Sequence, residues 1–385
     1  MESNKNSLTP DSICVIRLSA LGDCCHALPA VQTLRDNFPD CRLTWIIGKT
    51  EYQLMDGLED MEFIVIDKSN LIRSLIKLNS KLKQRKFDVF LHMHASMRAN
   101  IVSCFIRANR KIGFDKNRAR DLQQLFCNES IAPKKNQHVT DGFFEFLEHI
   151  GITQQTPRWN LPIPKSAIEN ANQQLDKTKI TCVISPCSSQ RYGDANRNWS
   201  LENYITIIDH LIKKYDIQVI LTGGQTIIES SYGEQLTGYF QNRIANLIGK
   251  TSIKQLVGII NEADFVLCPD SAPAHIATAT NTPVIGLHAF TNPLRSGPYF
   301  CQEWVVNAYP EAVKKFLHKD VSEVRWSQKI KHPDAMNLIT TKAVIEKIDQ
   351  MLLMKIEKNN GCYQNRETDN KISRTRRCGC NGCLG

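Results

Sequence analysis

The chain has 385 residues, 42% of them hydrophobic and 23% charged, enough for two domains that each bury a full core and too apolar for a disordered polymer. No apolar run reaches the length of a bilayer span and the opening Met-Glu-Ser-Asn-Lys-Asn-Ser carries no signal-peptide h-region, so the expected location is the cytosol, where fourteen cysteines scattered mostly through predicted strands and helices read as buried thiols rather than disulfides. The net charge is +9, but residues 68–135 alone hold sixteen Lys and Arg against four acids, which reads as a docking surface for a polyanion or, more plainly, as a solvated helix face.

Short apolar runs alternate with amphipathic segments from the start. Residues 13–18 form a first strand, Ser-Ala-Leu-Gly22-Asp23 a turn, and 26–37 a helix ended by Phe38-Pro39. Strands follow at 43–47 and 63–66, a basic amphipathic helix at 71–82, a strand at 89–92, a helix at 96–108, a short strand at 111–114 and a helix at 141–150. Residues 151–178, with Pro157, Pro162 and Pro164, break the rhythm and mark an inter-domain linker. The alternation restarts with a strand at 181–185, a helix at 201–215, a strand at 218–222, a Gly-Gly turn, and helices at 227–240, 253–261 and 341–354. Strands alternating with helices predict two doubly wound, parallel, Rossmann-like α/β domains, at 12–150 and 179–356, with a polar tail at 357–385.

The densest stretch is 262–299. Residues 265–268 have the length of a buried strand, Asp270 and Ser271 are helix N-cap types, Pro273 suits a first turn, 274–280 is a short helix and 284–287 the next strand. A helix N-terminus at the carboxyl end of a parallel strand favours an anion such as a diphosphate. Ser271 and Ala272 are small enough for close approach, whereas Asp270 would repel phosphate and suits sugar hydroxyls. A plain capped helix has the same sequence.

Several separated segments resemble the glycosyltransferase family 9 heptosyltransferases. They are Ile16-Arg17-Leu-Ser-Ala-Leu-Gly22-Asp23-Cys-Cys-His26-Ala-Leu-Pro29-Ala, Ile112-Gly-Phe-Asp115, Asn246-Leu-Ile-Gly249-Lys-Thr251-Ser-Ile-Lys-Gln-Leu, Pro269-Asp-Ser-Ala-Pro-Ala-His275 and Pro293-Leu-Arg295-Ser-Gly-Pro-Tyr299. They stand in order over about residues 12–350. The resemblance implies the GT-B architecture of two Rossmann domains facing a cleft. It also implies inverting transfer of heptose from ADP-heptose to a Kdo or heptose hydroxyl of the lipopolysaccharide inner core. Another nucleotide sugar, or a non-catalytic sugar-nucleotide or lipopolysaccharide-binding subunit, is the alternative.

Under that resemblance Asp23 is the general base, although a helix cap requires nothing different of it and His26 is the next candidate. The donor site would draw on Ser188, Ser189, Arg197, Gln225, Thr251, Asp270, Ser271, Ala272 and His275. Arg197 would supply the phosphate-binding cation, with Arg191 its rival. Gln225 and Thr251 also suit ordinary turns and caps, and His275 also suits helix packing. Arg17 and Arg98 are the acceptor-binding candidates. No Asp-x-Asp motif is present, which predicts transfer without a metal and without a cofactor. The expected partners are ADP-heptose, a lipid A-core acceptor and the anionic cytoplasmic face of the inner membrane, with no nucleic acid. Two departures from the family pattern stand out: Ala272 where a glycine is expected, and Leu287-His-Ala-Phe in place of a Phe-Gly-Pro-type turn. Cys362, Cys378, Cys380 and Cys383 do not have standard zinc spacing, and a thiol-bearing tail is the default reading.

Overall fold

A computed structural model describes residues 9–153, 156–188 and 197–355. Ser189, Arg191 and the tail cysteines lie outside these residues.

The short continuous apolar runs become strands buried on both faces, as parallel sheets require. β1 (Ser12–Arg17), β2 (Arg42–Gly48), β3 (Met61–Ile66), β4 (Phe87–Leu91), β5 (Ala108–Gly113) and β6 (Glu129–Ser130) pair in the order β3-β2-β1-β4-β5-β6, all parallel. The crossovers include α1 (Leu21–Asn37), α2 (Lys49–Met55), α3 (Leu71–Leu82) and α4 (Met97–Ser103), and α5 (Val139–His149) follows β6. α6 (Lys165–Gln174) leads into the second sheet, built from β7 (Thr181–Ile184), β8 (Gln218–Leu221), β9 (Ile244–Asn246), β10 (Phe265–Pro269), β11 (Val284–His288) and β12 (Val306–Asn307). Its order is β12-β11-β10-β7-β8-β9, again all parallel. Its helices are α7 (Leu201–Tyr215), α8 (Ile227–Phe240), α9 (Ile253–Glu262), α10 (Ala272–Ala279), α11 (Pro293–Ser296), α12 (Tyr309–Leu317) and α13 (residues 341–355).

The predicted alternation is present, with local differences. α1 starts at Leu21, so Gly22 and Asp23 belong to its first turn rather than to a preceding loop. α4 is shorter than the expected 96–108 helix, because Ala108 already enters β5. α2, α12, β6, β9 and β12 have no counterpart in the sequence reading, each being short. The linker 151–178 is not irregular throughout. Its α6 packs on α9 so closely that a side chain at Gly258 would meet the Ala167 carbonyl oxygen at 2.4 Å. The described cysteines are free thiols, most of them buried.

The carboxyl ends of both sheets face one seam, and side chains cross it. Lys254 Nζ on α9 donates to Leu54 O of the first domain (2.9 Å) and Pro162 O of the linker (2.7 Å), and burial pushes its pKa down to about 8. Trp159 Nε1 donates to Cys25 O at 2.8 Å while its ring meets Tyr299 and Phe300. Tyr299 OH donates to Asp141 Oδ1 at 2.7 Å. His138 accepts from Thr140 N–H on Nδ1 (3.1 Å) and donates from Nε2 to Gly297 O (3.1 Å), which fixes its neutral tautomer.

Burial lowers the pKa of His138 to about 4 and that of His26 well below the ordinary value. A histidine depressed in the folded state takes up its proton in the unfolded chain first. Its contribution to stability is therefore complete above about pH 6.5 and is lost as the pH falls toward the folded value, at about 1.4 kcal/mol per pH unit per group. Denaturant unfolding measured from pH 7 to pH 4.5 should show stability falling steadily. His138→Gln should flatten that slope; an unchanged slope would mean that His138 does not contribute to it.

Candidate active site

The site is assembled where α1 of the first domain meets α10 of the second. β1 ends at Arg17, and α1 begins four residues later. Asp23 occupies the third position of the helix, and its Oδ2 accepts the Ala20 N–H at 3.0 Å. The same oxygen lies 2.7 Å from Arg17 Nη2, and Arg17 Nη1 donates to Met93 O at 2.9 Å. Burial acts to raise the Asp23 pKa, but the Arg17 charge and the Ala20 N–H outweigh it and hold the carboxyl below its usual range. The Asp23 side chain nonetheless remains 39% exposed, so an ionised carboxylate is open to a ligand in the cleft. Arg17, expected on the acceptor, is instead 11% exposed and committed to Asp23. Arg98 is exposed on the first turn of α4, at the carboxyl end of β4.

Directly across the seam lies His275, one turn into α10. A methyl group added at Gly22 would fall 2.3 Å from His275 Cδ2, so glycine is what lets the two helices meet. The His26 ring sits 4.3 Å from His275 and 5.1 Å from His138, centroid to centroid. His26 shares a hydrogen bond with Thr140 Oγ1 at 3.0 Å and is 4% exposed. Buried and held neutral, it packs the seam rather than opening to the cleft as Asp23 does.

On the second wall, Ser271 stands at the N-cap of α10, but its hydroxyl donates to Pro269 O at 3.1 Å and no side chain caps the helix. Ala272 is the first helical residue, so the missing glycine costs no left-handed conformation. Asp270 was expected to point at sugar hydroxyls. Its Oδ2 instead accepts from Thr291 Oγ1 at 2.7 Å, its Oδ1 is 3.7 Å from His275 Nε2, and Arg197 Nη1 reaches both its carbonyl (3.2 Å) and its carboxylate (3.7 Å). Burial would raise the Asp270 pKa; contacts with His275, His288 and Arg197 hold it well below the usual range. The unusual Leu287-His-Ala-Phe turn supplies part of this wall. His288 Nδ1 is 3.4 Å from Thr291 Oγ1, and the Phe290 ring carries the Arg197 guanidinium at 5.5 Å.

Other predicted donor residues gather at the carboxyl ends of β7 to β9. Ser188 spends its N–H (2.8 Å) and hydroxyl (3.3 Å) on Asn198 Oδ1, beside Arg197. Gln225 Nε2 donates to Gly249 O at 2.9 Å, bringing the loop after β8 against the loop that carries Thr251. Gly249, at φ +72°, has the left-handed backbone this turn needs.

Arg295 stands in the motif Pro293-Leu-Arg295-Ser-Gly-Pro-Tyr299, which by itself assigns it no role. It is partly buried on α11, and burial lowers its pKa while Asp23 and Asp270 oppose that shift. Among the described residues no hydrogen bond or ion pair holds its guanidinium. A cation between two already paired carboxylates is suited to an incoming oxyanion. The sequence signal was present: an arginine beside a Pro-initiated turn in a cleft motif. No group of three or more His, Cys, Asp or Glu side chains suited to a metal occurs among the described residues.

The Gly22–His275 contact makes a direct prediction. Gly22→Ala should destabilise the protein by about 1–3 kcal/mol through overpacking. Adding His275→Ala should recover part of that loss, giving a coupling measurable by a double-mutant cycle of denaturant unfolding. Strictly additive effects would mean that α1 and α10 do not meet in solution.

A family model described as glycosyltransferase family 9 (heptosyltransferase) matches residues 75–325. The chain is 38% identical over 342 residues to the lipopolysaccharide core heptosyltransferase OpsX of Haemophilus influenzae, covering 89% of this chain and 97% of that protein. It is 25% identical to lipopolysaccharide heptosyltransferase 3 of Escherichia coli K12, over 74% of this chain and 83% of that protein. Among solved structures, a family 9 glycosyltransferase from Veillonella parvula aligns with a TM-score of 0.72 at 20% identity, covering 89% of this chain and 97% of its own. E. coli heptosyltransferase WaaC with ADP aligns at 0.67 and 17% identity, covering 88% and 99%. These two structural likenesses establish the shared two-domain fold.

Proposed function

The chain belongs to glycosyltransferase family 9, and from that premise we propose that it transfers heptose from ADP-heptose to a sugar hydroxyl of the lipopolysaccharide inner core. The observation that carries the reading is the pairing of an accessible, ionised Asp23 on one wall with an uncapped helix N-terminus on the other. In this reading the donor diphosphate lies at the start of α10, where the helix dipole and the Ala272 N–H favour negative charge. Arg197 and Arg295 flank that position and neutralise the leaving ADP as the anomeric bond breaks, in place of a divalent metal. Gln225 and Thr251 border the nucleotide end. The acceptor hydroxyl approaches from the first domain toward Asp23, which takes its proton as the new bond forms, with inversion at the anomeric carbon. Arg17 holds the carboxylate in position and also weakens it as a base. Proton transfer is therefore favourable only late, when the hydroxyl has become acidic by bonding to the sugar.

We also infer that the enzyme works at an anionic membrane surface. No helix among the described residues is long and apolar enough to cross a membrane. α3 and α4 pack on one hydrophobic cluster and so lie on the same side of the first sheet. On their outer faces Ile72 is 76% exposed and Ile76 66% exposed, interleaved with exposed Arg73, Lys77 and Arg98. Apolar side chains within a cationic face suit the headgroup region of an anionic bilayer. Binding to vesicles containing phosphatidylglycerol should exceed binding to purely zwitterionic vesicles and weaken as salt rises. Ile72→Ser with Ile76→Ser should reduce it several-fold without changing turnover on a soluble acceptor. Equal binding to both vesicle types would remove the inference.

The mechanism is most exposed at Asp23. Asp23→Asn keeps the helix cap but leaves the Arg17 guanidinium without its counter-ion, so we expect a loss of about 1–3 kcal/mol in stability. ADP binding, measured by calorimetry, should be unchanged. Turnover should fall by about 10²–10⁴-fold, the contribution of a positioned general base. A variant that binds ADP and turns over near the wild-type rate would return Asp23 to a structural role.

A further inference from the structure

β1 and β4 are neighbours in the first sheet, paired as far as Val15 with Leu91. Beyond that pair the two segments stay in register through side chains. Arg17 Nη1 donates to Met93 O at 2.9 Å, and the Leu18 N–H donates to His94 Nδ1 at 3.0 Å. The imidazole thus takes up a backbone donor that the ended ladder leaves over. The segment carrying the ring is itself fixed: the Ser96 N–H donates to His94 O at 2.9 Å, and the Ser96 hydroxyl accepts the Ala99 N–H at the start of α4. Arg17 commits its other terminal nitrogen to Asp23 at 2.7 Å, so one guanidinium joins the residue before His94 to the carboxylate.

A ring that accepts on Nδ1 carries its proton on Nε2. Burial and then the Arg17 charge push the His94 pKa far below the ordinary histidine value, against the pull of Asp23. The ring therefore stays neutral and does not close an ion pair over the carboxylate. It is partly exposed, and among the described residues its Nε2 makes no hydrogen bond. A fixed donor without a protein partner stands beside a fixed acceptor, near enough that the charge of either group acts on the other. Neighbouring oxygens of a sugar match such a pair: one gives its proton to the carboxylate and the next accepts from the imidazole.

We propose that His94 is an acceptor-binding residue that selects the reacting hydroxyl, its Nε2–H donating to the acceptor-sugar oxygen next to the one that Asp23 deprotonates. This role rests on the transferase reading and deepens it, naming a first-domain side chain that orients the acceptor. Because the ring is locked on Leu18, its donor needs little ordering on binding. A sugar turned so that another hydroxyl faced Asp23 would leave the Nε2–H unpaired.

Two substitutions separate binding from scaffolding, since the Asn side-chain oxygen falls near the position of Nδ1 and the Gln amide nitrogen near that of Nε2. His94→Asn keeps an acceptor for the Leu18 N–H and loses the outward donor; His94→Gln does the reverse. Transfer is measured with ADP-heptose and deacylated lipopolysaccharides truncated after Kdo or after heptose. With the acceptor that the wild type uses, His94→Asn should melt near wild type and leave ADP affinity and the ADP-heptose KM unchanged. Its kcat/KM for the acceptor should fall about three- to tenfold, the contribution of one neutral hydrogen bond. His94→Gln should melt lower yet recover most of that loss. An unchanged acceptor kcat/KM in His94→Asn, or a loss in His94→Gln that His94→Asn does not share, overturns the assignment and leaves His94 as a tie between β1 and β4. Equal losses toward both substrates overturn it as well. If His94→Asn does not fold, His94→Gln decides alone: retained acceptor kcat/KM despite a lower melting temperature supports the role, and a loss of about tenfold with ADP binding intact overturns it. A wild-type protein that binds ADP but transfers heptose to neither acceptor sinks the transferase reading, and the role of His94 with it, whereas the other outcomes leave that reading standing.

Discussion

The structure depends on one close approach, the first turn of α1 against α10. Two parallel sheets turn their carboxyl ends toward each other, and the cleft between them is set by how near those helices come. Gly22 permits the contact and His275 fills it. The ties around it, Lys254 to Leu54 and Pro162, Trp159 to Cys25 and His138 to Gly297, act at a distance from the reacting groups. They hold the walls in register while leaving Asp23 accessible. A relative shift of an ångström between the domains would move the carboxylate with respect to the α10 N-terminus, the separation on which the proposed transfer depends.

Burial holds His26 and His138 neutral within the packed seam, and carboxylates stand at its margins paired with arginines. Arg17 serves Asp23 on one wall and Arg197 serves Asp270 on the other. Each carboxylate is neutralised within its own domain, so bringing the domains together buries no lone anion. Arg295 is different. It lies where both carboxylates feel it, yet neither bonds to it. In the proposed reading, the donor diphosphate would supply the counter-charge that no side chain among the described residues gives Arg295.

Much of this was legible in the sequence. The strand and helix alternation and the stretch 262–299 follow from short apolar runs and caps, while Asp23 and Arg197 came forward with the family resemblance. What could not be read was pairing across long sequence separations. Arg17 and Asp23 are near in sequence, but whether Arg17 faced a ligand or its neighbour depended on side-chain direction at the end of β1. Asp270 was read as a sugar ligand because nothing in its own segment showed that Thr291 and His275 would claim its oxygens. The short elements α2, β6, β9, β12 and α12 escaped because two to nine residues carry too little periodicity to separate helix, strand and loop.

Charge shows the same limit most clearly. The segment 68–135 is strongly basic along the chain, yet folding neutralises much of it. Lys68 meets Glu51, Lys81 and Arg85 meet Glu62, Arg110 meets Glu129, Arg118 meets Asp115 and Glu145, and Lys134 meets Glu148. Four of those acids, Glu51, Glu62, Glu145 and Glu148, come from other parts of the domain or from outside the counted acids. The cations left over separate into two surfaces of different kind. Those on α3 and α4 stand among exposed isoleucines on one side of the first sheet, the face proposed to meet a lipid surface. Arg120 instead lies across the seam from the second-domain segment 325–332, on the margin of a cavity of about 590 Å³. The count of charges was legible from the chain; which of those charges are met by an acid depends on contacts between distant segments, which the fold alone supplies.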